Sequence, residues 1–320
     1  MNQEAFNQVV NQFKETRDKK ENPLDIHYFM IKDKEDQEFL YAFNDAEGPR
    51  DIRSISKTVM TLFLGVLMKR SKEGLYKEIS EETYIYPILK DVVDIRDPEN
   101  LEKFQQVQIK HLLTHTVGYD KVLMMRGDIK DMDPYEYLDY VVNSPIVHEP
   151  GTKYLYSNAG FYMLSAALQE FLGEDLLDVF EREFFKPLGI EDYKWEKYGN
   201  YLAGATRLWL LPEDLMVIGK LMLNKGMYNG VGLYSKNWHE EVLKVRESTE
   251  KVDTPDATFR RYGYGYGLWR ANNSIFFGHG TDGQMLVIVP KEDTIILTLS
   301  TQSDMKPLEA IVNETIEKRL

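Results

Sequence analysis

Ser54-Ile55-Ser56-Lys57-Thr58-Val59-Met60-Thr61-Leu62-Phe63-Leu64-Gly65-Val66-Leu67 sets a hydroxyl and an amine three residues apart at the head of an apolar run. The run is too apolar to alternate as a half-exposed strand and reads as a helix buried on nearly all sides. On such a helix Ser54 and Lys57 stand one turn apart on one face. A serine hydroxyl is a weak nucleophile until a base takes its proton. A lysine held beside it out of water can be that base, because desolvation disfavours the ammonium. The helix N-terminus adds a partial positive charge where an oxyanion would form.

The four-residue pattern alone is common, and the chain carries it twice more, at Ser248–Lys251 and Ser303–Lys306. Ser248 lies in a charged, turn-like stretch with no apolar face to bury an amine. Ser303 precedes the last helix and reads as its N-cap. Only Ser54 opens a buried helix.

Outward from that helix, residues 3–18 read as an amphipathic helix through Phe6, Val9, Val10 and Phe13. Residues 26–31 and 38–43 read as strands joined by the turn Asp33–Asp36. Residues 60–255 carry mostly helical signals, at 107–116, 134–143, 158–172, 174–185 and 212–225. Strand signals return at 264–269, 274–277, 285–289 and 294–299, and residues 305–319 close as a helix. The expectation is an α/β fold of the α+β kind: a mostly antiparallel sheet assembled from both chain ends, flanked by helices, with a large helical region inserted. One domain over 1–320 is expected, with a sheet part in 1–60 and 255–320 and a mainly helical part in 61–254.

The 320-residue chain, 43% hydrophobic and 28% charged, matches a soluble globular protein. Its net charge of −13 repels phosphate backbones and anionic lipid, so neither nucleic acid nor a membrane is an expected partner. It has no cysteine, which excludes disulfides, thiolate metal sites and cysteine nucleophiles. The polar N-terminus has no apolar leader, so a cytoplasmic location is the default expectation; a secreted chain without its leader would look the same. Oligomeric state leaves no mark in the sequence.

Two further clusters carry chemistry. Tyr156-Ser157-Asn158 follows the turn Glu149-Pro150-Gly151-Thr152 and precedes an apolar helix. A phenol and a carboxamide two residues apart can both reach one cleft, the phenol to relay a proton and the amide to hold a lysine and a substrate carbonyl. A structural tyrosine in a turn is the plainer alternative. Gly278-His279-Gly280-Thr281-Asp282-Gly283 lies between two strand candidates. Its glycines allow close approach of a ligand or backbone, and its histidine offers a donor or cation; a tight turn with an exposed histidine is the alternative. His111 and His115 are four apart, but Leu112 stands where the zinc-protease pattern needs a glutamate, so packing or capping is the expected role. No cofactor is implied.

In order and setting these features resemble the serine β-lactamase and penicillin-binding-protein superfamily, especially its class C-like branch of esterases, amidases and peptidases. Ser54-x-x-Lys57 matches the nucleophile motif, Tyr156-Ser157-Asn158 the Tyr-x-Asn motif, and His279-Gly280-Thr281 the Lys-Thr-Gly position. His111-Leu112-Leu113-Thr114-His115-Thr116-Val117-Gly118, Glu149-Pro150-Gly151, Pro187-Leu188-Gly189-Ile190 and Leu211-Pro212-Glu213-Asp214-Leu215 follow in family order. The resemblance covers residues 26–302 and implies a β-lactamase/transpeptidase-like fold. It implies a serine hydrolase acting through an acyl-enzyme on a small ester, amide or peptide-like substrate, with Ser54, Lys57 and Tyr156 catalytic. Asn158, His279, Gly280, Thr281 and Asp282 would contact the substrate, and the backbone N–H groups of Ser54 and Asp282 would form the oxyanion hole. Gly280 stands where the family has a hydroxyl and Thr281 where it has glycine, which counts against β-lactam hydrolysis. A β-lactamase or DD-peptidase is the alternative within the class, and a non-catalytic binding protein on the same scaffold is the alternative outside it.

Overall fold

The computed structural model describes residues 1–249, 261–271 and 274–319. Lys251 of the second Ser-x-x-Lys pattern, and the 254/255 boundary expected between helical and sheet parts, lie outside the described residues. The elements that position the site are α1 (Gln3–Glu15), β1 (Ile26–Lys32), β2 (Glu38–Ala42), α2 (Ile55–Lys72), α3 (Ala159–Leu172), α4 (Pro212–Leu223), β3 (Glu247–Ser248), β4 (Gly263–Tyr264), β5 (Trp269–Arg270), β6 (Phe276–Gly280), β7 (Gln284–Val289), β8 (Thr294–Ser300) and α5 (Lys306–Arg319).

Eight strands form one antiparallel sheet in the order β3-β4-β5-β6-β7-β8-β1-β2. The N-terminal hairpin thus continues a sheet begun by the C-terminal strands. Met30 pairs with Leu297 on one side and Leu40 on the other. The hairpin turn is built by Asp33, whose carboxylate accepts from the N–H groups of Glu35 (2.9 Å) and Gln37 (3.0 Å).

Period-2 alternation sends the central strands' side chains to two cores. Phe29, Ile31, Phe277, Met285, Val287 and Ile296 pack against Phe6, Val9, Val10 and Phe13 of α1 and Leu308, Ile311 and Val312 of α5. Met30, Leu286, Ile288, Leu297 and Leu299 face the larger core with Val59, Phe63 and Leu67 of α2 and Leu215, Ile218 and Leu221 of α4. Both terminal helices therefore cover the same face, and the opposite face is covered from within the chain. Among the described residues no helix is long and apolar enough to cross a membrane.

Two expectations are corrected. Residues 264–269 are not one strand: β4 and β5 are a hairpin whose turn places Gly267 at φ +67°. The turn is pinned to α2, where Thr58 Oγ1 donates to Gly267 O at 2.8 Å. A Cβ on Gly267 would meet Thr61 Oγ1 at 2.4 Å and Lys57 O at 2.9 Å, so the glycines that read as strand interior are there for close approach. The last helix begins at Lys306, so Ser303 is not its N-cap; the apolar contacts of Leu308, Ile311 and Val312 hold the helix on the sheet.

The helix α2 is buried from Ile55 through Leu67. It passes so near Trp238 that a Cβ on Gly65 would lie 2.1 Å from the indole Cδ1, and the indole Nε1 donates to Thr61 O at 3.2 Å. Gly65→Ala is therefore expected to lower the unfolding free energy by about 1–3 kcal/mol through overpacking, measured by denaturant titration.

Candidate active site

Ser54 stands at the N-cap position of α2 in ordinary helical geometry (φ −70°) and caps no amide with its side chain. Its neighbour Arg53 bears the strain of the turn, at φ +51°. Asp51 holds that turn, accepting from Arg53 N at 2.9 Å and from its guanidinium at 2.8 Å. Among the described residues the Ser54 hydroxyl has one side-chain partner: Lys57 Nζ lies 3.0 Å from Ser54 Oγ.

Lys57 is 1% exposed. Its Nζ has two further oxygens in reach, Asn158 Oδ1 at 2.8 Å and Ala205 O at 3.2 Å. The amide of Asn158 is oriented by its own Nδ2, which donates to Met124 O at 3.0 Å. Met124 stands at φ +63°, which turns that carbonyl inward. Burial pulls the Lys57 pKa down from the ordinary lysine range, against the nearby Tyr156 phenol, which favours the charged form.

The arrangement has a chemical consequence. Carbonyl oxygens only accept, so a neutral Lys57 gives its two N–H bonds to Asn158 Oδ1 and Ala205 O. Its lone pair is then left facing Ser54 Oγ, whose O–H donates to it. Loss of the ammonium proton thus converts the lysine into a base aimed at serine with no movement of heavy atoms.

Tyr156 joins this group by its ring and its phenol. Lys57 Nζ is 4.9 Å from the ring centroid. The ring stacks on Trp269 at 5.6 Å, stands edge-on to Tyr264 at 5.9 Å and lies 4.4 Å from the His115 imidazole. Its hydroxyl is near enough to Lys57 for a side-chain hydrogen bond that favours the ammonium form, opposing the effect of burial. Catalytic hydrogen bonds often tighten only with substrate in place.

The glycine-rich segment is strand, not turn. Gly278 and Gly280 lie in β6 because side chains there would collide with the head of α2. A Cβ on Gly280 would meet Arg53 Cβ at 2.7 Å and Ile52 O at 2.9 Å; one on Gly278 would meet Thr58 Oγ1 at 3.1 Å. His279 is buried, not exposed, and donates from Nε2 to Glu309 Oε1 of α5 at 2.8 Å. Burial lowers its pKa, opposed by that hydrogen bond. Thr281 and Asp282 form the following turn, Asp282 at φ +67° with its carboxylate 3.2 Å from Arg53. Outside the helix and strand ladders, neither the Ser54 nor the Asp282 N–H donates to an acceptor among the described residues, which leaves both amides for a ligand oxygen.

Two cavities meet at the serine. One of about 400 Å³ is lined by Tyr154, Tyr156, Trp269, His279 and Met305. The other, about 550 Å³, is lined by Asn158, Arg53, Arg126, Lys130, Arg207 and Asp282. Ser54, Met125 and Thr281 border both.

A model of the Beta-lactamase family matches residues 44–318. The chain belongs to the Beta-lactamase family. Within it, the chain is 21% identical over 276 residues to the N-acetylmuramyl-L-alanine amidase of Bacillus subtilis (strain 168), covering 70% of this chain and 58% of that one. It therefore spans little more than half the length of that relative. Its fold is similar to the octameric penicillin-binding protein homologue from Pyrococcus abyssi (TM-score 0.71, 17% identity, 98% of this chain and 76% of that one). Simvastatin synthase from Aspergillus terreus superposes with a TM-score of 0.69 at 14% identity, covering 98% of this chain and 99% of that one.

Several residues around this candidate site were not singled out by the sequence pattern. Ala205 contributes only a carbonyl, and Arg126 and Arg207 sit in loops with no motif. Glu309 lies thirty residues from the histidine it holds. His111 and His115 were legible only as non-ligands. His111 Nδ1 accepts from Gln108 N at 3.1 Å, closing a cap. His115 Nε2 is 3.1 Å from Tyr264 Oη, and its buried Nδ1 has no partner among the described residues. Burial, with the Lys57 charge added, holds its pKa well below 6.5, so it stays neutral beneath Tyr156. Tyr264→Phe would leave both ring nitrogens unpaired in the core and is expected to cost about 1–3 kcal/mol of stability, measured by denaturant unfolding at pH 7.

Proposed function

We propose that the protein is a serine hydrolase that works through an acyl-enzyme on a small ester or amide. The observation that carries this reading is the buried Lys57 Nζ, 3.0 Å from Ser54 Oγ and held by two oxygens that can only accept. In the mechanism, neutral Lys57 takes the Ser54 proton as Oγ bonds to the substrate carbonyl carbon. The N–H groups of Ser54 and Asp282 stabilise the resulting oxyanion, at about 3–4 kcal/mol per donor in acyl transfer. The carbonyl re-forms, the bond to the leaving group breaks, and the proton passes from Lys57 through Tyr156 to the departing oxygen or nitrogen. Water then attacks the acyl carbon, losing a proton to the same pair; the bond from that carbon to Ser54 Oγ breaks, the acid leaves, and Oγ takes up the proton the water gave.

Ester hydrolysis is favoured over β-lactam turnover by the absence of a hydroxyl at 280, which β6 cannot carry against Arg53 and Ile52. Amide cleavage is the second reading, supported by the relative named as an amidase. A panel of short-chain esters, D-amino-acid amides and a chromogenic cephalosporin separates these.

Ser54→Ala is expected to abolish both hydrolysis of a chromogenic short-chain ester and labelling by a fluorophosphonate; full activity in that variant rejects the assignment. Only neutral Lys57 is a base, and its pKa is lowered. The labelling rate of the unmodified protein should therefore rise with pH and level off below 10.5. A rate still climbing through 10.5 would contradict the role given to Lys57.

A further inference from the structure

The two cavities at Ser54 differ in charge, and the difference carries information about the substrate. The larger one presents four cations, Arg53, Arg126, Lys130 and Arg207, against one carboxylate, Asp282. This stands out in a chain of net charge −13. Arg53 is engaged by Asp51 at 2.8 Å and Asp282 at 3.2 Å; Arg207 lies 3.9 Å from Asp51 and 3.8 Å from Glu196. Arg126 and Lys130 form no ion pair among the described residues. A smaller adjoining cavity of about 180 Å³ shares Arg53, Arg126 and Arg207 and adds Arg50 and Trp209. Arg50 Nε and Trp209 Nε1 are buried donors with no acceptor among the described residues.

The backbone around the basic cavity is strained as well. Arg53, Met124, Arg207 and Asp282, all on its wall, stand at φ between +51° and +67°. Backbone in this region is held there by its surroundings, which fixes the direction of the side chains on the wall.

The other cavity is electrically closed. Its Arg261 lies 3.8 Å from Glu309 and 5.1 Å from the Trp269 ring centre, and Glu309 also takes the His279 hydrogen bond. Tyr156 lines this cavity and not the basic one. In the mechanism proposed above, Tyr156 protonates the leaving group, so the leaving group occupies the aromatic cavity and the acyl half of the substrate the basic one.

We infer that the protein is selective for acyl groups that carry a carboxylate, held by Arg126 and its neighbours, with an uncharged, aromatic-compatible leaving group against Trp269. The inference rests on the acyl-enzyme reading and narrows it to half-esters or half-amides of dicarboxylic acids. Arginine suits this task because its planar fork binds carboxylate oxygens in pairs.

The test compares monobenzyl glutarate with benzyl pentanoate, which differ by a carboxylate in place of the terminal methyl. The expected result is a kcat/KM at least about tenfold higher for the glutarate, the scale of one charge-assisted contact. That preference should shrink as NaCl is raised from about 0.05 to 0.5 M, because an exposed guanidinium is screened. Arg126→Glu, an exposed position whose replacement leaves the core untouched, should cut the ratio by at least about tenfold. Hydrolysis of both esters with no preference, or a preference unmoved by Arg126→Glu, overturns the selectivity alone. If neither ester is cleaved and intact-mass analysis finds no acyl adduct on Ser54, the hydrolase reading itself fails and the selectivity with it.

Discussion

The architecture of the site follows from the burial of one amine. Lys57 reaches its position on a helix sealed from Ile55 to Leu67, where water cannot solvate an ammonium. Desolvation of a charge costs several kcal/mol even after relaxation, so the surroundings must supply acceptors or the proton must leave. Ser54, Asn158 and Ala205 supply three, drawn from three separate stretches of chain. Two of them cannot donate, and that asymmetry decides which partner receives the lone pair.

Everything that fixes those acceptors is then under constraint. The Asn158 amide keeps its orientation through Met124 O, at the cost of a methionine in left-handed backbone. The strand β6 runs close enough to the head of α2 only because residues 278 and 280 are glycines. The β4–β5 hairpin docks on the same helix through Thr58 and Gly267. The sheet and the helical region thus converge on one helix end, and the strained residues Arg53, Met124, Arg207 and Asp282 ring it.

Much of this was legible in the residues. The burial of α2 follows from an apolar run with no polar stripe, and the sheet drawn from both chain ends follows from where the alternating segments fall. The three clusters at Ser54, Tyr156 and His279 are each common patterns alone, and it was their order and setting, resembling the motifs of a known superfamily, that singled them out. What escaped was carried by backbone or by long range. Ala205 acts through a carbonyl, which every residue has. The Gly265 and Gly267 turn read as strand because its neighbours are aromatic, and only the nearness of α2 explains the glycines. The arginines of the basic cavity come from loops around 53, 126 and 207 that share no pattern. Glu309 could be assigned to His279 only after α5 was placed on the sheet.

The state of the Lys57 amine is the quantity on which the account turns. A ¹³Cε NMR titration of the lysines, with the Lys57 resonance assigned by its loss in Lys57→Arg, measures it directly. The account requires a midpoint clearly below the ordinary lysine value of 10.5. A midpoint at or above 10.5 would mean that Lys57 is a permanent ammonium, stabilising serine as a neighbouring charge and unable to take its proton.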